Sequence, residues 1–361
     1  MIRLDAYLQQ FITKEHGVEL SRTYVEKLLE MGGVKLNNEV IKKKGFKFNS
    51  DKIAPVIDEK ALESIIIEYQ TGKSDDSEAS SWSASSMMTV LDPAKLERAG
   101  DISPHIVLED DDILVVYKPP GVLSHPGRGD QNRDSMVYQF AKYMEKIHKY
   151  IPRAGLLHRL DLDTRGLLVF AKNMESYNIV KKAFETRKIE KWYLAITKAT
   201  PRLNNLIKNG LEKVHRKELP HPYEMFRKAA GYDEIKAYMR SLPAFELDGY
   251  IGKARDGKKM YFSLDQQILR RDRISTMKNC DSTIAIAGEY NNDIFLFVQP
   301  HTGRTHQIRA QAAYLGAPVK NDRLYGKTYT PKGTLGLIAC AISFSLKEKQ
   351  YNIVLPPRYF S

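Results

Sequence analysis

Two stretches of this 361-residue chain concentrate side chains able to do chemistry. The first, His158-Arg159-Leu160-Asp161-Leu162-Asp163-Thr164-Arg165-Gly166, runs directly into the apolar segment Leu167–Ala171. A turn at the end of a buried strand is a rigid mount for a working carboxylate. The same spacing suits an Asp161 or Asp163 that only caps its turn. His158 is a candidate general base, and a histidine that merely hydrogen-bonds its own turn is the simpler reading. The second stretch, Gln299-Pro300-His301-Thr302-Gly303-Arg304-Thr305-His306-Gln307-Ile308-Arg309, joins a strand to a helix, with Thr302 and Thr305 as candidate caps. Arg304 and Arg309 are five apart, so they need share neither a helix face nor a partner. A capped helix with solvated arginines is the plain alternative.

Other chemistries fit poorly. His301 and His306 lack the cysteine or H-E-x-x-H partners of a zinc site, and Cys280 and Cys340 are too few for a zinc ribbon or a disulfide framework. There is no G-x-S-x-G elbow and no glycine-rich dinucleotide fingerprint. Thr71-Gly72-Lys73-Ser74 and Gly326-Lys327-Thr328 end like phosphate loops, but Ile67 and Asn321 stand where the first glycine belongs. The expectation is therefore no metal and no cofactor.

The elements that must position these residues are short. Ile113–Tyr117, Leu167–Ala171, Trp192–Ile196 and Ile294–Val298 read as strands, the first stopped by Lys118-Pro119-Pro120-Gly121. Met174–Thr186 and Thr305–Leu315 read as helices, the latter ended by Gly316 and Pro318. Strands and helices without a repeating βαβ rhythm predict an α+β domain over 102–361. Weak periodicity and dense charge mark about 199–245 as an insertion within it. The first 58 residues form a separate module. Leu4, Tyr7, Leu8 and Phe11 give one helical face, and Ser21 caps a second helix with Val25, Leu28 and Leu29. Asn37-Asn38 reads as a hairpin turn, and a last strand is expected near Lys52-Ile53-Ala54. Between the two units, 59–101 is expected to be an acidic, serine-rich flexible linker, because 7 of the 13 residues from Ser74 to Ser86 are serine.

Lys plus Arg number 56 against 44 Asp plus Glu, a net charge of +12. Residues 113–361 carry net +19, residues 70–112 net −7 and residues 1–58 net +2. A basic body behind an acidic strip favours a polyanionic partner. No apolar run approaches the roughly 18 residues of a membrane span. Asp5 stands where the apolar core of an export signal would begin, so a cytoplasmic protein is expected.

The motifs carry a resemblance that composition and spacing alone do not supply. H-R-L-D-x-x-T-x-G-L-L-V-F-A-K at 158–172 resembles the catalytic motif of the RluA family of pseudouridine synthases. T-G-R-T-H-Q-I-R at 302–309, followed by Tyr325-Gly326, resembles that family's second signature. Lys191-Trp192-Tyr193-Leu194-Ala195 is similar to its K-x-Y-x-A segment, and Leu337-Ile338-Ala339 lies where its L-H-A segment falls. At the N-terminus, R-L-D-x-x-L, then S-R-x-x-V-x-x-L-L-x-x-G-x-V-x-L-N, then Lys42-Lys43-Lys44 resembles the S4-type RNA-binding module.

The resemblance implies a largely antiparallel central sheet flanked by helices, behind a small αβ module. It implies isomerisation of uridine in RNA, with Asp161 rather than Asp163 as the essential aspartate, Arg309 beside it and Tyr193 against the uracil ring as a candidate for removing the C5 proton. Leu337 matches an apolar contact on the base. Arg159 matches the residue that fills the space left by a flipped base. Arg3, Arg22, Lys27, Lys42, Lys43 and Lys44 would meet structured RNA. Large-subunit ribosomal RNA is the expected substrate and a monomer the expected state; transfer RNA, or RNA binding without chemistry, are the alternatives. Departures are Arg165 for the family's serine, Gln311 and Ile338 for histidines, and Asn321 for a glycine. Arg165 adds bulk and charge near the site.

Overall fold

The computed structural model describes residues 2–16, 20–50, 53–72, 93–126, 134–144, 151–198, 231–254, 259–326 and 333–360, with isolated positions between these stretches. Strand β1 (Ile2–Arg3) leads into α1 (Leu4–His16) and α2 (Arg22–Glu30), followed by β2 (Val34–Leu36), β3 (Glu39–Val40), β4 (Lys47–Phe48), β5 (Val56–Ile57) and α3 (Glu59–Gly72). Leu4, Leu8 and Ile12 of α1 and Val25, Leu28 and Leu29 of α2 are buried, as their spacing requires. Asn37 and Asn38 adopt φ of +50° and +69°, the left-handed backbone that a two-residue hairpin of matching twist demands.

Two boundaries differ from expectation. The expected linker begins as helix: Leu62, Ile65 and Ile66 of α3 are buried, and α3 packs on α2. Apolar residues at i, i+3 and i+4 outweigh the acidic composition there. Pro93–Arg98 is also helical (α4), and the serine-rich residues between lie outside the described set. The last strand of the module is Val56–Ile57, paired with β2 through Val34 and Lys35, whereas Ile53 and Ala54 are not strand and Lys52 lies outside the described residues.

The remainder is an α+β fold around a ten-stranded sheet. Its elements are β6 (Ile106–Glu109), β7 (Ile113–Lys118), α5 (Met136–Tyr143), β8 (Arg165–Ala171), α6 (Met174–Glu185), β9 (Glu190–Lys198), α7 (Tyr232–Ser241), β10 (Ala244–Lys253), β11 (Met260–Ser263), α8 (Gln266–Arg271), β12 (Ser275–Tyr290), β13 (Asp293–Pro300), α9 (Gln307–Tyr314), β14 (Leu337–Leu346) and β15 (Lys349–Val354). The strand order is β11-β10-β12-β13-β9-β14-β8-β7-β6, with β15 beside β14. Every pairing is antiparallel except β8 with β14. Alternate residues of β7 serve two cores: Ile113, Val115 and Tyr117 join the cluster that holds Tyr177 and Val180 of α6, while Leu114 and Val116 join Met136 and Phe140 of α5. Among the described residues no helix is long and apolar enough to cross a membrane.

The expected insertion ends differently too. Tyr232, Ile235 and Met239 of α7 are buried with Phe297 of β13, and β10 begins at Ala244, so the last part of 199–245 belongs to the sheet.

One row of partners crosses five central strands: Val298, Tyr193, Ala339, Gly166 and Lys118. Gly166 closes the first polar stretch and adopts φ of +125°; a Cβ there would lie 2.3 Å from the Ala339 carbonyl oxygen. No side chain fits, so β8 and β14 start side by side only because this residue is glycine. Gly166→Ala is expected to cost about 3 kcal/mol or more in urea unfolding, combining backbone strain with overpacking.

Candidate active site

The turn before β8 is tied down atom by atom. Ser124 brackets Leu160, its Oγ donating to the Leu160 carbonyl at 2.8 Å and accepting from the Leu160 N–H at 2.9 Å. The Leu162 carbonyl accepts from the Gly121 N–H and from the Lys118 ammonium, each at 2.9 Å. Lys118 is fully buried and gives its other protons to the Pro119 and Val122 carbonyls, at 2.9 and 2.7 Å. Burial pushes its pKa down to about 7, against the opposing pull of Asp161 and Asp163. Three carbonyl acceptors match the three protons of the ammonium form, which is the form that staples this turn. Asp161 sits inside the stapled segment, its carbonyl accepting from the Thr164 N–H at 3.1 Å.

Arg309 reaches the same point from α9. Its guanidinium donates to Asp322 through Nε at 2.7 Å and Nη2 at 2.8 Å, leaving Nη1 3.4 Å from Asp161 Oδ2. Burial disfavours both charges, but the paired Asp322 and the nearby Asp161 hold Arg309 well above its ordinary value, and Arg309 with two backbone N–H donors holds Asp322 below the carboxylate range. His306 adopts φ of +54° and brings Nε2 to 3.8 Å from Asp161 Oδ2. Its Nδ1 lies 3.2 Å from the Tyr325 hydroxyl, which accepts from the Met260 N–H at 2.8 Å. Burial lowers the His306 pKa and lifts Tyr325 to about 12. We assign the Tyr325 proton to His306 Nδ1, which leaves the Nε2 proton facing Asp161.

Asp161, Arg309, His306, Tyr193, Leu337 and Arg159 all line one cleft of about 340 Å³. Burial, with Asp161 close by, drives the Tyr193 phenol far above its usual pKa, so it stands protonated at neutral pH. His158 accepts from the Val169 N–H at 3.2 Å and is held down to about 3 by burial, which makes it a neutral strand contact rather than a general base. Thr305 is not a cap: α9 starts at Gln307, and Thr302 donates to the Gln307 side chain at 2.9 Å. Arg165 is buried at the start of β8 and is absent from the cleft lining, so its bulk does not narrow the site. Asn321 adopts φ of +58°, which asparagine tolerates best after glycine, and Gln311 bonds Ser282 and the Leu247 carbonyl.

In the N-terminal module the expected RNA contacts divide. Asp5 is buried and engages Arg3 at 2.7 Å and Arg22 at 3.1 Å, while Lys44 pairs with Glu30 at 2.7 Å. Lys42 and Lys43 are exposed, and Lys27 is half-buried on α2.

A family profile described as RNA pseudouridylate synthase matches residues 112–314, which is more than half of the chain. The chain belongs to that family. A ribosomal large subunit pseudouridine synthase D of Buchnera aphidicola is 29% identical over 229 residues, covering 63% of this chain and 55% of that protein. This chain thus spans about half the length of that relative. An uncharacterized RNA pseudouridine synthase of Aquifex aeolicus is 26% identical over 336 residues, covering 92% of this chain and 81% of that one. The solved structure of human RNA pseudouridylate synthase domain containing 4 shares 21% identity with a TM-score of 0.48, over 75% of this chain and 95% of that one.

Within this pseudouridylate synthase domain, Lys118, Ser124 and Asp322 build the site without having stood out as functional in the sequence, and His306 and Tyr325 stand in the quoted motifs without a role having been assigned to them. A lysine closing an apolar strand before Pro-Pro-Gly is the signal that could have exposed Lys118; the Arg309–Asp322 pair is visible only in three dimensions. Asp322→Asn is expected to cost about 3 kcal/mol at pH 7, because it leaves a buried guanidinium half-paired. A carboxyl with a depressed pKa stabilises the fold above its ordinary 3.8 and ceases to do so as pH falls through its lowered value. The gap between variant and wild type in unfolding experiments should therefore close in acid below about pH 4.

Proposed function

We propose that this chain isomerises uridine to pseudouridine in RNA, with Asp161 as the catalytic carboxylate and large-subunit ribosomal RNA as substrate. The observation that supports it most is the convergence of Asp161 and Arg309, at 3.4 Å, beside Tyr193 and Leu337 in one cleft of about 340 Å³. Family membership supports the reaction, and the names of relatives such as the Buchnera protein support the ribosomal substrate.

The reaction breaks the N1–C1′ bond, turns the base and forms a C5–C1′ bond; C5 loses its proton and N1 gains one. Atoms and electrons balance within the nucleotide, so no redox or phosphoryl partner enters. Positive character develops at C1′ as the bond breaks, and Asp161 is the anion that answers it. Arg309 orients that carboxylate, Tyr193 and Leu337 bracket the ring, and Arg159, exposed at the cleft, takes the place of the extruded base. Lys42 and Lys43 on an S4-like module, with Lys27 and the already paired Arg3, Arg22 and Lys44, give a second foothold on structured RNA; tethering two weak sites raises affinity without new contacts.

Asp161→Asn keeps the shape and removes the anion. Tritium release from C5-labelled uridine in transcribed large-subunit RNA is expected to fall at least about 1,000-fold, while RNA affinity stays within about threefold. Turnover at the wild-type rate would refute the assignment.

A further inference from the structure

The cleft extends past Tyr193 along β9 to Lys191. The two residues are two apart on one strand, so both side chains leave the same face from Cα atoms about 6.6 Å apart, and both line the cleft. The Lys191 ammonium lies 5.9 Å from the centre of the Phe184 ring at the end of α6, near the outer limit of about 6 Å for cation–π attraction. Gly303 of the second signature is also close, since a Cβ there would be 3.9 Å from Lys191 Nζ. Among the described residues it has neither a carboxylate partner nor a hydrogen-bond acceptor. The carboxylates nearby are engaged: Asp161 faces Arg309, and Glu185 pairs with Lys181 at 3.8 Å. His158 is turned to the Val169 N–H and offers no anion.

A half-closed cation without a counter-ion is costly unless an anion arrives with the ligand. A uridylate with its base against Tyr193 carries its phosphates within reach of the same cleft wall, which Lys191 also lines. We propose that Lys191 is a phosphate-binding residue of the cleft, taking a phosphate of the uridylate whose base lies against Tyr193. The inference rests on the reading of this cleft as the uridine site. Burial pulls Lys191 down to about 8, so it is an ammonium at neutral pH. A phosphate would restore the partner that the protein withholds and would fix where along the cleft the glycosidic bond meets Asp161.

The test compares uridine 3′,5′-bisphosphate with uridine as ligands of the full chain, in the wild type, Lys191→Met and Lys191→Arg. The affinity ratio favouring the bisphosphate is expected to fall at least about fivefold in Lys191→Met and to survive in Lys191→Arg. With transcribed large-subunit RNA, the plot of log affinity against log salt should become shallower by about 0.7–0.9 in Lys191→Met, the signature of one lost phosphate contact. Should methionine reduce the yield of folded chain, Lys191→Gln keeps a polar tip and the same two readouts decide. An unchanged ratio and slope in a folded variant would overturn the proposal. Pseudouridine formation by the wild type is scored alongside. A wild type that makes pseudouridine with a lysine-independent ratio removes the phosphate subsite alone; one that makes none with a lysine-dependent ratio removes the enzymatic reading and keeps the subsite.

Discussion

A guanidinium taken out of water must be paired, and Arg309 is paired twice. Asp322, fully buried, accepts from two of its nitrogens in a fork-to-fork arrangement that fixes the plane of the group. The remaining Nη1 is aimed at Asp161, 3.4 Å away and partly open to the cleft. The two carboxylates are thus unequal by construction. Asp322 is saturated by Arg309 and by the N–H groups of Leu324 and Tyr325. Among the described residues the Asp161 carboxylate has only longer contacts, with Arg309 and His306, and so keeps lone pairs for a ligand. A lysine could carry the charge at position 309 but not the fixed fork.

The surrounding fold serves this arrangement by bringing three strand ends to one place. The parallel start of β8 and β14 sets the Asp161 turn beside Leu337, and β13 runs out into the loop that carries His306 and Arg309. Gly166 permits the close approach of β8 and β14, while Lys118 and Ser124 hold the turn from the opposite side. Fixing the carboxylate before any ligand arrives is what electrostatic preorganisation requires, since the site then reorganises little during reaction.

Much of this was legible in the chain because the periodic and the apolar segments are local signals. The helices from Leu4 and Arg22, the Asn37-Asn38 hairpin and the strands at 113, 167, 192 and 294 all declare themselves within a few residues. Asp161, Tyr193, Arg309 and Leu337 were legible only through the resemblance of their motifs, and the structure brings them to one cleft. What escaped was non-local or carried the wrong composition. The α3 helix is flanked by acidic and serine-rich sequence, and the wing of β10, β11 and β12 mixes charge with short apolar runs, the β10 and β12 partners lying 22 to 41 residues apart. Arg165 looked like an intruder in the active turn, yet strand alternation at the start of β8 turns it away from the cleft. Lys118 read as the end of a strand, whereas burial and three carbonyls make it a staple.

The proposed mechanism requires Arg309 to orient Asp161, and Arg309→Lys examines that relation most directly because it preserves charge while abolishing the fork. Single-turnover conversion of uridine in transcribed large-subunit RNA is expected to slow at least about 100-fold, the scale set by small misplacement of a reacting group, with RNA affinity nearly unchanged. Conversion at the wild-type rate would show that the guanidinium geometry does not position the carboxylate, and would contradict the mechanism.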